Sequence, residues 1–376
     1  MDLAFTAEEE AFADEAREWL AAAVAEHPVP DRFDSHDEEI AWGRSWQARL
    51  AEGRWVGIHW PVEHGGRSAT PVQVALFNTE YARAGAPQPV NRVGINLAGP
   101  TLLAHGSELQ RERWLRSILD ASELWCQLFS EPDAGSDLSS LRTSAERDDG
   151  AGGWHLSGQK VWTSYARFAR WGICLARTGG GISYFVLDME QPGIEIRPLR
   201  QITGEAEFNE VFLDGAFVPD DHLVGGLDDG WRVAGTTLAH ERGTAFPFKE
   251  QVVHEVYLDA LWSEAAGAAL LDRTEVADGL ARAWVEVRLL RLHNWRTLTR
   301  LAAGQEPGPE SSLAKLAWTD ATQHLSHTAL DVVGPAAVLS GKWPRQWLWS
   351  RAASIAGGTS EIQKTILAER LLGLPR

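Results

Sequence analysis

The order of hydrophobic periodicities along the chain predicts an α+β protein, with a β unit set between two helical ones. Three observations carry this. Helical spacing dominates up to about Leu119, short alternating runs broken by Gly, Pro and Asp follow from Leu124 to Leu213, and long helical runs resume after Asp228. Helices segregated from strands argue against a doubly wound sheet, in which the two would alternate. The predicted division is a helical domain over 1–122, a β-barrel or sandwich domain over 123–226 and a helical bundle over 227–376.

The first helix opens at Thr6-Ala-Glu-Glu9, a capping box in which hydroxyl and carboxylate each bond the other residue's backbone N–H. Phe5, Phe12, Ala16, Trp19 and Leu20 then recur at roughly helical spacing, and His27-Pro-Val-Pro30 ends the run. Helical patterning returns from Glu38 to about Leu50, over Val72–Ala84 and over Leu109–Leu119, with Trp60-Pro-Val-Glu-His-Gly-Gly66 as a loop. Trp154–Trp162 reads as a hairpin turning at Ser157-Gly158. Ile173–Ala176, Ser183–Leu187, Ile194–Pro198 and Asn209–Leu213 read as further short strands. Trp231–Glu241, Val252–Leu271, Val276–Ala302, Ser311–Val333 and Ser360–Leu372 are helical, and Gly304–Pro309 is a connector.

Composition narrows the function. The 376 residues leave room for two or three structural units. A net charge of -17 with no basic patch argues against a nucleic-acid partner. Cys126 and Cys174 form no C-x-x-C pair, and no His/Cys cluster has zinc spacing. No metal is expected, and both cysteines read as core thiols of a reducing compartment. Met1 leads into an acidic amphipathic segment rather than a signal peptide, and no apolar run has the length of a membrane span. The expected location is the cytoplasm.

Two segments carry chemistry. Ser130-Glu-Pro-Asp-Ala-Gly-Ser-Asp137 offers hydroxyls at Ser130 and Ser136 and, at Gly135, backbone that a ligand can approach closely. The same segment also reads as an ordinary polar turn. Gly158-Gln-Lys-Val-Trp-Thr-Ser164 presents an aromatic plane at Trp162 and hydroxyls at Thr163 and Ser164 where a strand ends. A planar heterocycle can stack on Trp162 while Ser164 bonds its polar edge. Alternatively, Trp162 is one core tryptophan among eighteen.

Together, Phe129–Asp137 and Gly158–Ser164 resemble the flavin-binding pair of motifs of the acyl-CoA dehydrogenase family. Phe208-Asn-Glu-Val-Phe-Leu-Asp214 with Val218-Pro219 resembles the family's last strand, and Ile355–Gln363 and Ala368–Arg376 resemble its C-terminal end. The resemblance covers almost the whole chain. It implies an N-terminal helical domain, a central β domain and a C-terminal four-helix bundle. It also implies FAD at the junction of the last two, and oligomers in which part of the FAD reaches a neighbouring subunit. By position, Phe129, Ser130 and Ser136 would line the flavin and the thioester entry. Trp162 would cover one ring face and Ser164 would touch the flavin edge. Thr359 and Glu361 fall where the family's last motif meets FAD, and Gly135 and Thr163 complete the expected cofactor set.

The implied reaction is α,β-dehydrogenation of an acyl thioester, with electrons passing from FAD to an electron-transfer flavoprotein. A carboxylate can take an α proton only if hydrogen bonds to the thioester oxygen stabilise enolate character. The resemblance implies that these come from a ribityl hydroxyl of FAD and a backbone N–H, here that of Gly357. Hydride would pass from the β carbon to flavin N5.

The sequence departs from the commonest family pattern in two places. Many members carry the catalytic Glu just before Gly-Thr in the last motif, where this chain has Gly357-Gly358-Thr359. A subset places it on an earlier helix before an Arg, and Leu238-Ala-His-Glu-Arg-Gly243 matches that arrangement. The expected base is therefore Glu241, with Arg242 beside it. Burial in an apolar cavity would raise such a carboxylate toward a working pH. Glu241 also reads as an ion-pair partner of Arg242, and His240 competes as a base on the same helix. Second, the helix from Val252 lacks the Arg-x-x-Phe-Gly pattern used against the FAD diphosphate, Leu271-Asp-Arg-Thr274 does not replace it, and the usual Gly-Gly-x-Gly is reduced to Val333-Gly-Pro-Ala336. Members that work as heteromeric pairs share such gaps, so both a homo-oligomer and a pair with a related chain are expected partners.

Substrate contacts are expected from Ser136, Arg242 and Gly357. Acyl-CoA and acyl-carrier thioesters both remain open, and the missing side chain at Gly357 favours a branched or ring-bearing acyl group. Two other functions remain. One is a flavin oxidase or monooxygenase on the same fold. The other is a non-catalytic partner subunit. Glu241 speaks against the first and the intact flavin motifs against the second.

Overall fold

The structure is a computed structural model that describes residues 4–30, 32–241, 245–305 and 308–375. It divides into two compact units, each drawn from separated stretches of chain. The first takes in Met1–Glu26, Ala69–Ala86 and Arg242–Arg376, and the second His27–Ser68 and Pro87–Glu241.

The second unit is built on seven strands: β1 (Trp125–Leu128), β2 (Ser144–Asp148), β3 (Gly153–Ser164), β4 (Trp171–Arg177), β5 (Ile182–Asp188), β6 (Ile194–Leu199) and β7 (Phe208–Pro219). They form one mixed sheet in the order β1-β4-β2-β3-β7-β6, with β5 also on β4. Only the β1–β4 and β2–β4 pairings are parallel. Leu128, Ala145, Leu156, Cys174, Phe185, Ile196 and Val211 meet in one core cluster, so the sheet curls around side chains from all seven strands. β4 and β5 are apolar almost throughout and nearly every residue is buried, as strands covered on both faces require. Each large apolar side chain buried here contributes roughly 1.5–3 kcal/mol.

The expected hairpin at Ser157-Gly158 is not formed. β3 runs straight through these residues, and its hairpin partner is β2, paired from Ser144↔Ser157 to Asp148↔Gly153. The turn lies at 149–152, where Ala151 N–H donates to Asp148 Oδ1 at 2.9 Å. Gly158 serves close approach instead. A Cβ there would stand 2.5 Å from Thr143 Oγ1 and 2.8 Å from Thr143 Cα. Sequence punctuation by glycine is the same for both uses, which is why the turn was misplaced.

Four helices complete this unit: α2 (His36–Glu52), α4 (Gly99–His105), α5 (Glu108–Leu119) and α6 (Gly230–Glu241). The first unit is helical: α1 (Ala7–Glu26), α3 (Pro71–Arg83), α7 (Ala245–Gly267), α8 (Thr274–Ala302), α9 (Glu310–Val333), α10 (Lys342–Ser350) and α11 (Ser360–Ile366). The capping box forms as expected, with Glu9 N–H donating to Thr6 Oγ1 at 3.2 Å and Thr6 N–H to Glu9 Oε2 at 2.8 Å. α8 buries Val276, Leu280, Ala283, Val287, Leu290 and Leu298, a stripe at alternating three- and four-residue steps and a final eight-residue one. It packs with Leu258 and Leu261 of α7, Leu325 of α9 and Trp343 of α10. The pattern of helices, mixed β domain and helices agrees with the predicted fold class. β1, β2, α4 and α10 were not anticipated as separate elements. Cys126 and Cys174 are buried and unpaired. Among the described residues, no helix is long and apolar enough to cross a membrane. No group of His, Cys, Asp and Glu there could hold a metal ion.

Candidate active site

The two motifs singled out in the sequence are tied together by a buried ion pair. β1 ends at Leu128, and the chain continues through Phe129 and Ser130 into a turn closed by reciprocal 3.1 Å backbone bonds between Glu131 and Ala134. The Glu131 carboxylate accepts from Arg142 N–H at 2.6 Å, Thr143 N–H at 2.9 Å, Thr143 Oγ1 at 2.5 Å and Lys160 Nζ at 2.9 Å. Lys160 is wholly buried, and its ammonium also donates to the carbonyls of Leu175 at 2.8 Å and Phe129 at 3.3 Å. All three ammonium donors are used, the condition under which a buried pair is tolerated. Burial pushes the Glu131 carboxyl up, but the Lys160 charge and the donated hydrogen bonds outweigh this and hold it below the usual carboxylate range. Val161 N–H adds a 2.9 Å bond to Ser130 O. Glu131 and Lys160 are not among the residues that the motifs single out for a ligand. An acid and a lysine at inward positions of otherwise ligand-like motifs were the available signal.

The strand then aims one side chain outward. Lys160 pairs with Val211 but Thr163 pairs with Asn209, so Val161 and Trp162 together oppose Glu210 in a bulge. Trp162 takes φ +60°, an uncommon conformation for a bulky residue, and its side chain is 61% exposed. Phe208 braces it edge-on at 6.0 Å. Bulges recur where a strand must redirect a side chain. Trp162 is therefore not a core tryptophan, and half-buried Ser164 follows two residues on.

Other predicted residues fall differently. Gly135 and Ser136 are exposed, and a Cβ on Gly135 would meet nothing. Thr163 is wholly buried, so its side chain is not on the outward side that Trp162 presents. The bulge explains this, because it turns the residue after Trp162 into the sheet. Its hydroxyl has no partner there. Phe129 also points inward, edge-on to Tyr184 at 5.9 Å, which leaves its backbone for any ligand.

α6 carries the expected base and is seated firmly. Thr237, one turn before Glu241, shares a buried hydroxyl network with Thr101 of α4 at 2.8 Å and Tyr184 of β5 at 3.2 Å. His105 meets Thr236 at 2.7 Å. Glu241 is the last residue of α6, while its side chain and Arg242 lie outside the described residues. In the same unit, His59 is pushed down to about 4, by burial first and by His240 second, so its imidazole is neutral near pH 7.

Gly357, Thr359 and Glu361 belong to the first unit. Gly357 and Gly358 take φ +67° and +95°, which glycine adopts at little cost. Thr359 caps α11, its Oγ1 accepting from Ile362 N–H at 3.2 Å. Glu361 is exposed, and hydrogen bonds from its own N–H and the Thr359 hydroxyl hold its carboxyl below the usual range. A cleft of about 370 Å³ in this unit, with Arg17, Glu80 and Trp295 in its wall, contains none of the predicted site residues.

The order of helices, mixed β domain and helices is that of a flavin-dependent oxidoreductase class, and the class is shown by likeness to known proteins. The family models for the N-terminal, middle and C-terminal domains of acyl-CoA dehydrogenase match residues 6–122, 126–216 and 228–372. The chain is 42% identical over 385 residues to the acyl-CoA dehydrogenase IpdE1 of Mycobacterium tuberculosis, covering 98% of each. Two solved structures share the fold. The Tcur3481-Tcur3483 steroid ACAD is 26% identical with a TM-score of 0.85, covering 100% of both chains. The ChsE4-ChsE5 complex of Mycobacterium tuberculosis is 28% identical with a TM-score of 0.83, again covering 100% of both. The chain belongs to the acyl-CoA dehydrogenase family. It is an oxidoreductase of that class, and its cofactor is FAD.

Proposed function

We propose that the chain removes an α proton and a β hydride from a bulky, ring-bearing acyl-CoA to give the trans-2-enoyl thioester. The observation that carries this reading is Trp162, held outward on a bulge beside Ser164 and the Ser130 backbone. In this reading Trp162 stacks on the flavin, Ser164 and the backbone at Phe129 and Ser130 bond its edge, and Ser136 stands at the thioester entry. Thr359 and Glu361 complete the contacts to FAD. Bound FAD supplies a two-electron acceptor for the β hydride. Glu241 takes the α proton, Arg242 lies beside it, and the Gly357 N–H donates to the thioester oxygen as enolate character develops. Electrons then pass to an electron-transfer flavoprotein. A carboxylate base has no use in oxygenation of an aromatic or an amine, so dehydrogenation is preferred over the monooxygenase reading.

Two features support the substrate class: Gly357 has no side chain to fill the acyl position, and the Tcur3481-Tcur3483 relative is a steroid enzyme. Anaerobic titration of the flavin-loaded protein with octanoyl-CoA, 3-cyclohexylpropanoyl-CoA and a CoA thioester of a steroid bearing a propanoyl side chain tests it. The ring-bearing thioesters should bleach the flavin faster. The highest kcat/KM on octanoyl-CoA would sink the substrate assignment.

The same proposal gives the chain a partner. α7 contains no arginine, and Arg273 beyond it is exposed beside Glu275 at 4.0 Å. Val338, Leu339, Ile355, Leu372 and Leu374 are exposed apolar side chains of the first unit, which suits an association surface. The ChsE4-ChsE5 relative is a complex of two chains. A related second chain would then supply the missing cation to the FAD diphosphate. Full FAD loading of this chain as a homo-oligomer would refute that. We further place the three domains at 1–122, 123–226 and 227–376, and the protein in the cytoplasm, where free thiols such as Cys126 and Cys174 persist.

A further inference from the structure

The turn that carries Gly357 is pinned at both ends by side chains with no role assigned so far. Two adjacent glycines at positive φ make a mobile stretch unless something outside them holds it. On one side stands Gln363 of α11, wholly buried. Its Nε2 donates to Gly357 O at 3.1 Å and reaches Gly358 O at 3.4 Å, while its backbone N–H donates to Thr359 O at 2.9 Å. The amide can take only this orientation, since the opposite one would set oxygen against two carbonyl oxygens.

On the other side stands α9. Lys315 Nζ donates to Ala353 O at 2.8 Å, and Thr319 Oγ1 stands 3.0 Å from the same oxygen and 3.0 Å from Lys315 O, its single proton shared between them. Both side chains are buried, and so is Ala353. Between the pins the chain closes on itself, with Ile355 and Ala356 N–H both donating to Ala352 O at 2.9 Å. The Gly357 N–H therefore lies between a fixed point at Ala353 and a fixed point at its own carbonyl. Donation to a peptide oxygen also polarises that peptide and those bonded to it. Burying an ammonium costs free energy, and an apolar residue would fill the same space without that cost. Lys315 instead donates to this carbonyl, with the Glu361 carboxylate as a countercharge.

We propose that Gln363 and Lys315 are positioning residues for the dehydrogenation, together holding the Gly357 N–H where it meets the thioester oxygen. This rests on the reading above that the Gly357 N–H serves the thioester. Neither residue touches the reacting atoms. Their effect falls on kcat, through polarisation of the thioester carbonyl, rather than on flavin loading.

The test uses the FAD-loaded protein, with its partner chain if loading requires it, carrying Gln363→Leu or Lys315→Met. Turnover is measured with 3-cyclohexylpropanoyl-CoA. The carbonyl stretch of bound 3-cyclohexylpropenoyl-CoA is read by isotope-edited infrared spectroscopy, and hydrogen exchange is followed over residues 353–359. Each variant should keep its flavin. kcat should fall roughly 10- to 100-fold with KM nearly unchanged, the scale set by a small misplacement of a catalytic group. The carbonyl stretch should move toward its value in water, and amide protection over the turn should drop. Lys315→Arg, which keeps a donor, should recover most of the loss. Wild-type kcat and carbonyl frequency in both variants would overturn the clamp while leaving the dehydrogenase reading intact. A wild type whose flavin bleaches with none of the acyl-CoA panel would remove that reading, and the clamp with it. Should Gln363→Leu fail to fold, Gln363→Glu replaces it, with loss of kcat at unchanged flavin content expected and wild-type kcat overturning the proposal.

Discussion

The flavin-motif segment of the second unit and the Gly357 turn of the first solve one problem by different means. Each must hold a short piece of chain in a conformation that it would not keep alone. In the segment from Phe129 to Ser164 the hold is internal, because both partners of the Lys160–Glu131 pair lie within the motifs themselves. In the turn the hold is external, because Lys315 and Gln363 come from helices on either side. A strand can carry its own anchor, since alternate residues face inward and outward. A glycine turn has no side chains to anchor it and must borrow them.

The sharpest way to test the division of labour is to remove the expected base, which belongs to neither hold. Glu241→Gln should keep yellow FAD and lose roughly 10²–10⁴-fold in kcat, the usual worth of general base catalysis. Its thermal midpoint should stay close to that of the wild type. Retained turnover would return the base to another group, with His240 the first candidate.

The same contrast explains what was legible beforehand. The flavin motifs could be read because their informative residue types stand within a few positions of one another, and the helix, β, helix order could be read because periodicity is local. The Gly158 turn was not legible because the close approach comes from Thr143, in the loop just before β2 and fifteen residues earlier. The bulge at Trp162 left no mark on the sequence, since it depends on a register shift against β7. Lys315 and Gln363 are 48 positions apart and joined only by the turn between them. Nothing local flags either.

Next in size is the internal hold. Lys160→Met leaves Glu131 as a buried charge without its cation, and breaking such a pair costs about 3–5 kcal/mol. Urea unfolding should show this directly, together with impaired flavin binding, because Phe129 loses a bond to its carbonyl as well. A loss under about 1 kcal/mol would mean that the three remaining hydrogen bonds of Glu131, from Arg142 and Thr143, fix the segment rather than the charge.

Trp162 should behave in the opposite way, mattering to FAD and hardly at all to the fold. Trp162→Gly relieves a left-handed conformation that costs roughly 1–2 kcal/mol for a residue with a Cβ. It gives up a braced aromatic contact with Phe208 worth about 0.5–1.5 kcal/mol. The two nearly cancel, so the apoprotein should unfold at about the wild-type denaturant concentration. FAD affinity should fall by roughly tenfold, the loss of one stacked ring face. Strong destabilisation without FAD would make Trp162 a core residue after all.

The smallest effect is the most diagnostic, because its size differs between two proteins. The wild-type Glu131 carboxyl is held below its usual range, so its contribution is present at neutral pH and is lost as the pH falls from about 4.5 through the folded-state value. In Lys160→Met the cation is gone while burial and the bonds from Arg142 and Thr143 remain, so the folded-state carboxyl rises from its wild-type position. Its contribution at neutral pH is then smaller than in the wild type, and the carboxyl takes up its proton at a higher pH. The stability gap between wild type and variant should therefore be widest near neutrality and narrow on acidification, at no more than about 1.4 kcal/mol per pH unit. Denaturation midpoints over a series of acidic buffers measure the gap. A gap that stays constant with pH would show that Glu131 does not titrate with folding, and that Lys160 holds the flavin segment through its bonds to the Phe129 and Leu175 carbonyls instead.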